Sequence, residues 1–484
     1  MQFTNSYINL GDQFYQQIAP VPVKQPSLFL WNKELSEELS LSEKIDLDKN
    51  KLAEYFSGNH PLPDTSPIAL AYAGHQFGHF NPQLGDGRAH LIGETLNRSG
   101  QVRDIQLKGS GQTTFSRNGD GRCAMGPAIR EFIMSEALHA LNIPTARTLA
   151  VVTTGEEVYR ETIQPGAVVT RIASSHIRVG SFEYFASRQK FDDIERLSDF
   201  AIQRHYPELS EAGPDRFRLL IENVMDRQIN LVTEWLRVGF IHGVMNTDNF
   251  TISGETIDFG PCAMMGNYDL ETVFSSIDRQ GRYAYGNQPT IAQWNLARFA
   301  ETLIPLLDKN EKNAIEKASE IIADFPNRFQ DKYLKMMTAK TGLDDKSEEA
   351  AQLVSELRNL LEEKGLDYTV TFNRLTQSLS SELPAQQCKT ELGEWYSNWR
   401  NFLENQDRSL KDTQTSMRQF NPVVIPRNHH VENIISESIE TLDNTSINEF
   451  IKVLKQPYTM TDKTLQFQDT FNDKAAGYKT FCGT

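Results

Sequence analysis

The stretch from His242 to Gly260, HGVMNTDNFTISGETIDFG, constrains the fold more than any other part of the chain. Asn249 and Asp258 stand nine residues apart in it, and both offer the hard oxygen atoms that a divalent cation bound to phosphate requires. Three further features precede it in order. LGDGRAHLIG (84–93) supplies closely spaced glycines, DIQLKG (104–109) ends a strand-like pattern on Lys108, and GPAIREFIMSEALHALN (126–142) carries Glu131 and Glu136 at helical spacing. A fold that accepts this sequence must bring a glycine-rich turn, a strand lysine, a helix carboxylate and two oxygen ligands to one place.

A protein kinase assembles its phosphate site from these parts in this order. The lysine holds phosphates, a helix glutamate holds the lysine, and the Asn and the Asp of Asp-Phe-Gly hold metal. Either Glu131 or Glu136 can be the lysine partner by spacing alone. The pattern breaks at one point. The position five residues before Asn249, where a kinase has its aspartate base, is Val244, which cannot accept a proton.

The surrounding chain fits a two-lobed α+β protein. Residues 1–75 are punctuated by PVPVKQP and HPLPDTSP and read as an irregular N-terminal extension. The segment 89–111 alternates apolar and polar residues around a turn at Asn97–Gly100, which predicts a hairpin. A helix follows over 126–142, then further strands in ARTLAVVTT, EVYRE and AVVTRIA. From about 190 the pattern turns helical. The stripe Phe217, Leu220, Ile221, Val224, Leu231, Val232, Trp235 predicts a helix ending at Gly239, TISGETIDFG reads as a short hairpin around Gly254, and EEAAQLVSELRNLLEEKG is amphipathic. The expected division is 1–75 extension, 76–190 N-lobe, 191–300 C-lobe core, and 301–484 a helical region packed on the C-lobe.

A formal charge of −15 argues against a general nucleic-acid binder, because phosphate-backbone affinity needs clustered Lys and Arg. The start of the chain lacks the basic and apolar regions of a signal peptide, and no apolar run reaches the roughly 20 residues of a membrane span. A soluble, cytoplasmic monomer is expected. The four cysteines, Cys123, Cys262, Cys388 and Cys482, make no CxxC pair, so no structural zinc site is read from them. His75 and His79 in GHQFGH lack an evident third ligand and are expected to brace the approach to the glycine-rich turn; His242 is expected to be structural. No chemistry is assigned to His429 and His430.

Five runs carry a wider resemblance: YAGHQFGHFNPQLGDGRAHLIGE, LKGSGQTTFSRNGDGRCAMGPAIREF, SSHIRVGSFEYFA, HGVMNTDNFTISGETIDFGP and NPVVIPRNHHVE. With them the chain resembles the selenoprotein O (YdiU) family along nearly its whole length. The resemblance implies a protein-kinase-like fold that binds ATP in a flipped orientation. It further implies transfer of AMP, or of UMP from UTP, to Ser, Thr or Tyr hydroxyls of proteins, with Mg2+ or Mn2+ and release of pyrophosphate. Carried over by position, the nucleotide contacts fall on Gly85, Gly87, Arg88, Lys108, Asp120, Gly121, Arg171 and Arg178. The lysine partner falls on Glu131, the proton acceptor on Asp248, and the metal ligands on Asn249 and Asp258. With the nucleotide inverted, Asp248 replaces the missing base at 244, and Lys108, Arg171 and Arg178 face the triphosphate. The competing expectations are a metal-dependent phosphotransferase with a displaced catalytic Asp and a non-catalytic nucleotide-binding scaffold. The resemblance also raises a bond between the terminal Cys482 and the segment after Asp258. Only Cys262 lies there, with Ser275 and Ser276 further on, so free thiols are the expectation.

Overall fold

The computed structural model describes residues 3–160, 162–343, 347–471, 473 and 476–481. Its first half is built on one antiparallel sheet. In chain order the strands are β1 (Tyr15–Gln17), β2 (Ser27–Trp31) and β3 (Ile68–Leu70), then a separate small hairpin of β4 (Gly74–Gln76) and β5 (His79–Asn81). Next come β6 (Ala89–Leu96), β7 (Val102–Lys108), β8 (Cys123–Ala124), β9 (Arg147–Tyr159) and β10 (Ile163–Ala173). The spatial order is β1-β3-β6-β7-β10-β9-β2, with β8 also paired to β10.

The β6–β7 hairpin forms as its alternation predicts. The Asn97 side chain organises the turn, its Oδ1 accepting from the amides of Ser99 at 3.1 Å and Gln101 at 2.9 Å. Because side chains alternate across a strand, Asp104, Gln106 and Lys108 of β7 share one face while Ile105 and Leu107 share the other. The apolar face packs with Leu149, Val152, Val168 and Ile172 of its neighbours, and helices α1 (Lys33–Glu38) and α2 (Lys49–Ser57) cover it through Leu35, Leu52 and Phe56. The polar face is left for the site.

The N-terminal segment is therefore not irregular. It supplies β1, β2 and β3 to the sheet, and both helices on its apolar face. Its prolines fall in the connections, and each of its strands pairs with a distant or short partner, such as Ser27 opposite Thr153.

Helix α3 (Met125–Ala140) lies against β9 and β10 and is buried nearly all round. Helices α4 (Val179–Ala186), α5 (Phe191–His205) and α6 (Arg216–Val238) follow, and α6 ends as read, on Gly239 with φ +78° and its amide bonded to the Trp235 carbonyl. Two short paired strands, β11 (Phe240–Ile241) and β12 (Ala263–Met264), bracket the loop that contains His242, Asp248, Asn249 and Asp258. Gln288, at the start of α7 (Gln288–Leu307), clamps that loop by accepting from the His242 amide at 3.0 Å and donating to the Phe240 carbonyl at 3.0 Å. TISGETIDFG has its turn at Gly254, φ +75°, but its arms do not pair with each other. Thr251 bridges to Arg178 and Thr256 to Thr145, so the segment is stitched to the first half of the chain.

From Glu311 onward the described chain is helical, and the amphipathic stretch forms Glu348–Glu363 with Leu353, Val354, Leu357 and Leu361 buried. This region is not confined to the second half of the molecule: the helices Asn428–Thr441 and Thr445–Leu454 pack against α3. The protein is thus a mixed α and β structure, a sheet followed by a helical C-terminal region.

Candidate active site

The polar face of β7 and β10 meets the loop after β11. Lys108 Nζ donates to Glu131 Oε2 at 2.8 Å and to Asp258 Oδ1 at 3.3 Å. Opposite Gln106 on the neighbouring strand, Arg171 reaches the same two acids, contacting Glu131 through two nitrogens and Asp258 through Nη2. Arg178 comes from the N-cap of α4, donates to Asp86 Oδ1 at 3.3 Å and stands 3.9 Å from Asp258 Oδ2. Its guanidinium lies 4.5 Å from the Tyr72 ring centre, and its Nε is buried without a hydrogen-bond partner among the described residues. Three cations therefore face three carboxylates in one buried cluster.

The ionisation follows from this arrangement. Burial alone pushes both Glu131 and Asp258 up, but the surrounding cations outweigh it. Arg171 and Lys108 hold Glu131 below its ordinary value; the same pair together with Arg178 hold Asp258 well below. Both acids stay charged at neutral pH. The Asp258 side chain keeps 24% of its surface exposed, whereas Glu131 and Arg171 keep 3% each. Asp258 also has φ +64°, a left-handed conformation that costs a non-glycine residue free energy and is held here by its ion pairs.

Of the two helix acids, Glu131 is the partner of Lys108. Glu136 is buried as well, but it binds Arg147, with Nε–Oε1 at 2.9 Å and Nη2–Oε2 at 2.6 Å.

The loop residues are held by unlike means. His242 is buried, donates Nε2–H to the Ile257 carbonyl at 2.8 Å and accepts the Val244 amide on Nδ1, so it is structural as expected. Val244 is buried. Asn249 donates to the Val244 carbonyl at 3.1 Å, which turns its amide oxygen the other way. Asp248 Oδ2 accepts from Gln76 at 3.3 Å, while its Oδ1 is buried with no hydrogen-bond partner among the described residues. Burial, partly offset by Arg178, raises this carboxyl to about 6.

Gln76 belongs to the β4–β5 hairpin, which props the loop through Gln76 and two backbone amides and is itself tied to α4. The His75 amide donates to Thr247 Oγ1 at 2.7 Å, the Phe77 amide donates to Asn246 Oδ1 at 3.0 Å, and His75 Nδ1 meets Glu183 of α4 at 2.5 Å. His75 thus braces the loop of Asn246 and Thr247 itself, and His79 sits exposed at the hairpin tip. Gly74 lets the hairpin approach closely, since a Cβ there would come 2.9 Å from Asp248 Oδ1 and 3.0 Å from Leu84 Cδ1.

The remaining sequence candidates sit on two loops at the edge of the cluster. A Cβ on Gly85 would lie 2.2 Å from Phe115 Cγ, and one on Gly87 2.7 Å from the Phe115 carbonyl, so these glycines let the 84–88 turn nest against 113–116. Gly121 packs likewise on the Gly111 backbone. Arg88 is half-buried, and its carbonyl accepts the Gly109 amide at 2.7 Å, just beyond Lys108. Asp120 is not drawn into the cluster; it pairs with Arg160 at 2.8 and 3.0 Å. Asp86, Gln106, Gln76 and Glu183 were not among the sequence candidates. For Gln106 a signal existed, since it precedes Lys108 by two and must share its face. Cys262 is buried and its thiol donates to the Phe259 carbonyl at 3.2 Å; Cys482 lies outside the described residues.

A family model described as Protein adenylyltransferase SelO matches residues 1–455. The chain belongs to the SelO family. Curated relatives span it end to end. It is 51% identical to the protein nucleotidyltransferase YdiU of Teredinibacter turnerae, covering all of both chains. It is 49% identical to the YdiU proteins of Anoxybacillus flavithermus and Nitrosococcus oceani, covering all of this chain and 99% and 97% of theirs. SelO membership implies a nucleotide substrate. No helix among the described residues is long and apolar enough to cross a membrane.

Proposed function

We propose that this SelO-family chain transfers AMP from ATP to Ser, Thr or Tyr hydroxyls of proteins and releases pyrophosphate, with UMP from UTP as the alternative group. The observation that carries the reading is the pairing of Val244 at the kinase base position with a second carboxylate, Asp248, whose Oδ1 is buried and unpartnered beside the cation cluster. The polyanion to be bound accounts for the cluster. Lys108, Arg171 and Arg178 supply the positive charge for a triphosphate, and the unpartnered Arg178 Nε is a donor still to be used. The loops of Gly85, Gly87 and Arg88, and of Asp120 and Gly121, form the rim against which the rest of the nucleotide packs. The reading includes a kinase-like two-lobed plan in a cytoplasmic monomer, with 76–190 and 191–300 as lobes, 1–75 joined to the first lobe through its strands and helices, and 301–484 as the helical region.

Chemically, the acceptor oxygen forms a bond to the α-phosphorus while the bond from that phosphorus to the α,β-bridging oxygen breaks. Pyrophosphate leaves with the electron pair, and the hydroxyl proton passes to Asp248. A carboxyl held near 6 is ionised at neutral pH yet far more basic than an exposed aspartate, which suits a general base. Mg2+ or Mn2+ fits Asn249 and Asp258, a pair of hard oxygen donors of which Asp258 remains partly open; when bound, such an ion neutralises charge on the phosphate oxygens.

The deciding experiment supplies purified protein with ATP labelled at the α- or the γ-phosphorus. Label on protein from the α-position alone, with an AMP-sized mass increase, is the expected result. Label from the γ-position would make the chain a phosphotransferase with a displaced base.

A further inference from the structure

We propose that His429, His430 and Asp469 form a binding site for a divalent cation of the zinc class, which fastens the C-terminal segment to the body of the protein. The site lies outside the nucleotide cluster, and the proposal does not depend on the transfer reaction.

The two histidines are the second and third residues of the helix Asn428–Thr441. Consecutive helix side chains diverge by about 100°, so neighbouring imidazoles meet only when both turn toward a common object. Here their ring centres are 4.1 Å apart, and both Nε2 atoms point at one carboxylate: His429 to Asp469 Oδ2 at 3.0 Å and His430 to Asp469 Oδ1 at 2.6 Å. One ligand atom from each of the three residues falls within 4.8 Å of the others. A tetrahedral zinc site, with bonds of about 2.0–2.2 Å, places its ligand atoms roughly 3.4 Å apart. The two nitrogen–oxygen distances fall below that spacing, so the carboxylate, which is 58% exposed, need withdraw by only about an ångström or less to admit an ion, while the histidine side chains, 16% and 18% exposed, stay fixed.

Arg427 next door does not compete for the carboxylate, because Asp367 engages both its terminal nitrogens at 2.8 and 3.1 Å. Asp473 accepts from Asn428 Nδ2 through Oδ2 at 3.1 Å, and its buried Oδ1 has no hydrogen-bond partner among the described residues. Two nitrogen donors select zinc, cobalt or nickel over the Mg2+ or Mn2+ suited to Asn249 and Asp258.

The consequence is mechanical. Beyond Asp469 the segment returns to the same helix, where Tyr478 donates to Glu432 at 2.5 Å, and then reaches the segment after Asp258, where Thr480 Oγ1 donates to the Pro261 carbonyl at 2.7 Å. A cation at the histidine pair anchors the start of this strap.

The test uses the full chain stripped by chelator, with Zn2+ alone and Co2+ alone as probes. Equilibrium dialysis is expected to find one zinc equivalent that survives Asp258→Ala and is lost in His429→Ala/His430→Ala. Co2+ should show the visible absorption of a four-coordinate nitrogen-ligated ion, also lost in the double variant. Asp469→Asn, at an exposed position that leaves folding intact, should weaken binding by more than the roughly 10- to 100-fold typical of an outer-shell partner. Absence of the equivalent in the parent, or the same stoichiometry and spectrum in the double variant, overturns the proposal.

Discussion

Replacing Asp248 by asparagine should disable transfer while making the protein more stable, and the two effects share one cause. Burial raises the Asp248 carboxyl from an ordinary 3.8 to about 6, so the folded protein holds this proton more tightly than the unfolded chain does. A carboxyl raised on folding penalises the native state wherever it is ionised. The penalty is complete above pH 6, shrinks as pH falls through the interval, and vanishes below 3.8. At 1.36 kcal/mol per unit the interval corresponds to about 3 kcal/mol. The amide introduced by Asp248→Asn keeps the Gln76 contact but leaves one polar atom buried, which returns part of that gain, so about 1–3 kcal/mol of added stability is expected at pH 8. Denaturant unfolding of parent and variant at pH 8, 6 and 4.5 measures it, and the advantage of the variant should narrow toward the acid end. In the same preparations, AMP incorporation from α-labelled ATP should fall by about 10²- to 10⁴-fold, the contribution of a general base. ATP affinity should hardly change. In the parent, the rate should fall off on the acid side of about pH 6. Full activity in Asp248→Asn, or a stability difference that does not depend on pH, would refute the assignment of a desolvated carboxylate base at this position.

Other perturbations act on the cation cluster and its frame. Glu131→Gln leaves Lys108 and Arg171 facing each other with one buried carboxylate removed; a loss of about 3–5 kcal/mol by denaturant unfolding is expected, together with loss of transfer. Glu136→Gln is the matched control, since its partner is Arg147: it should cost stability while the transfer rate of the folded protein is kept. Asp258→Ala should abolish transfer, as should chelation with EDTA, and only the chelated parent should recover when Mg2+ or Mn2+ is returned. Gly85→Ala places a Cβ 2.2 Å from Phe115 Cγ at φ +67°. It should destabilise by at least the roughly 1–2 kcal/mol of a left-handed non-glycine residue, and Phe115→Ala in the same chain should restore part of the loss.

Local patterns were readable from the sequence where the interactions that fix them are local. The β6–β7 hairpin needs only its own alternation and the Asn97 turn, and α6 only its apolar stripe and Gly239. β1, β2 and β3 failed that test because three to five residues carry too little periodicity, and because their partners stand far away, as Trp31 does from Ala150. The arms of TISGETIDFG have strand-like composition, yet no pattern within them reports that they pair with Arg178 and Thr145. The same limit governs the site. Glu131 and Glu136 are five residues apart on one buried helix, and their own spacing does not choose between them. The choice is made by Arg147 on β9, which takes Glu136 and leaves Glu131 for Lys108.

Charge balance keeps the cluster ordered. Lys108, Arg171 and Arg178 are matched by Glu131, Asp258 and Asp86, so the buried group is close to neutral as it stands. The three carboxylates are not equivalent. Glu131 and Asp86 are sealed in; Glu131 holds Lys108 and Arg171, while Asp86 holds Arg178 and is itself tied to Gln106 at 3.1 Å and to the Leu70 amide at 3.2 Å. Asp258 is the member with open surface and strained backbone, and it touches all three cations. A divalent cation held by Asn249 and Asp258 would take up the Asp258 charge, and Lys108, Arg171 and Arg178, each keeping its other carboxylate, would then have unmatched charge for a polyphosphate. A polyphosphate then meets donors already oriented, and little of the binding free energy goes into arranging them. Asp258 serves in this scheme as the anion that occupies the cations until a nucleotide arrives, which is why the residue proposed as metal ligand must also be the most exposed acid of the cluster.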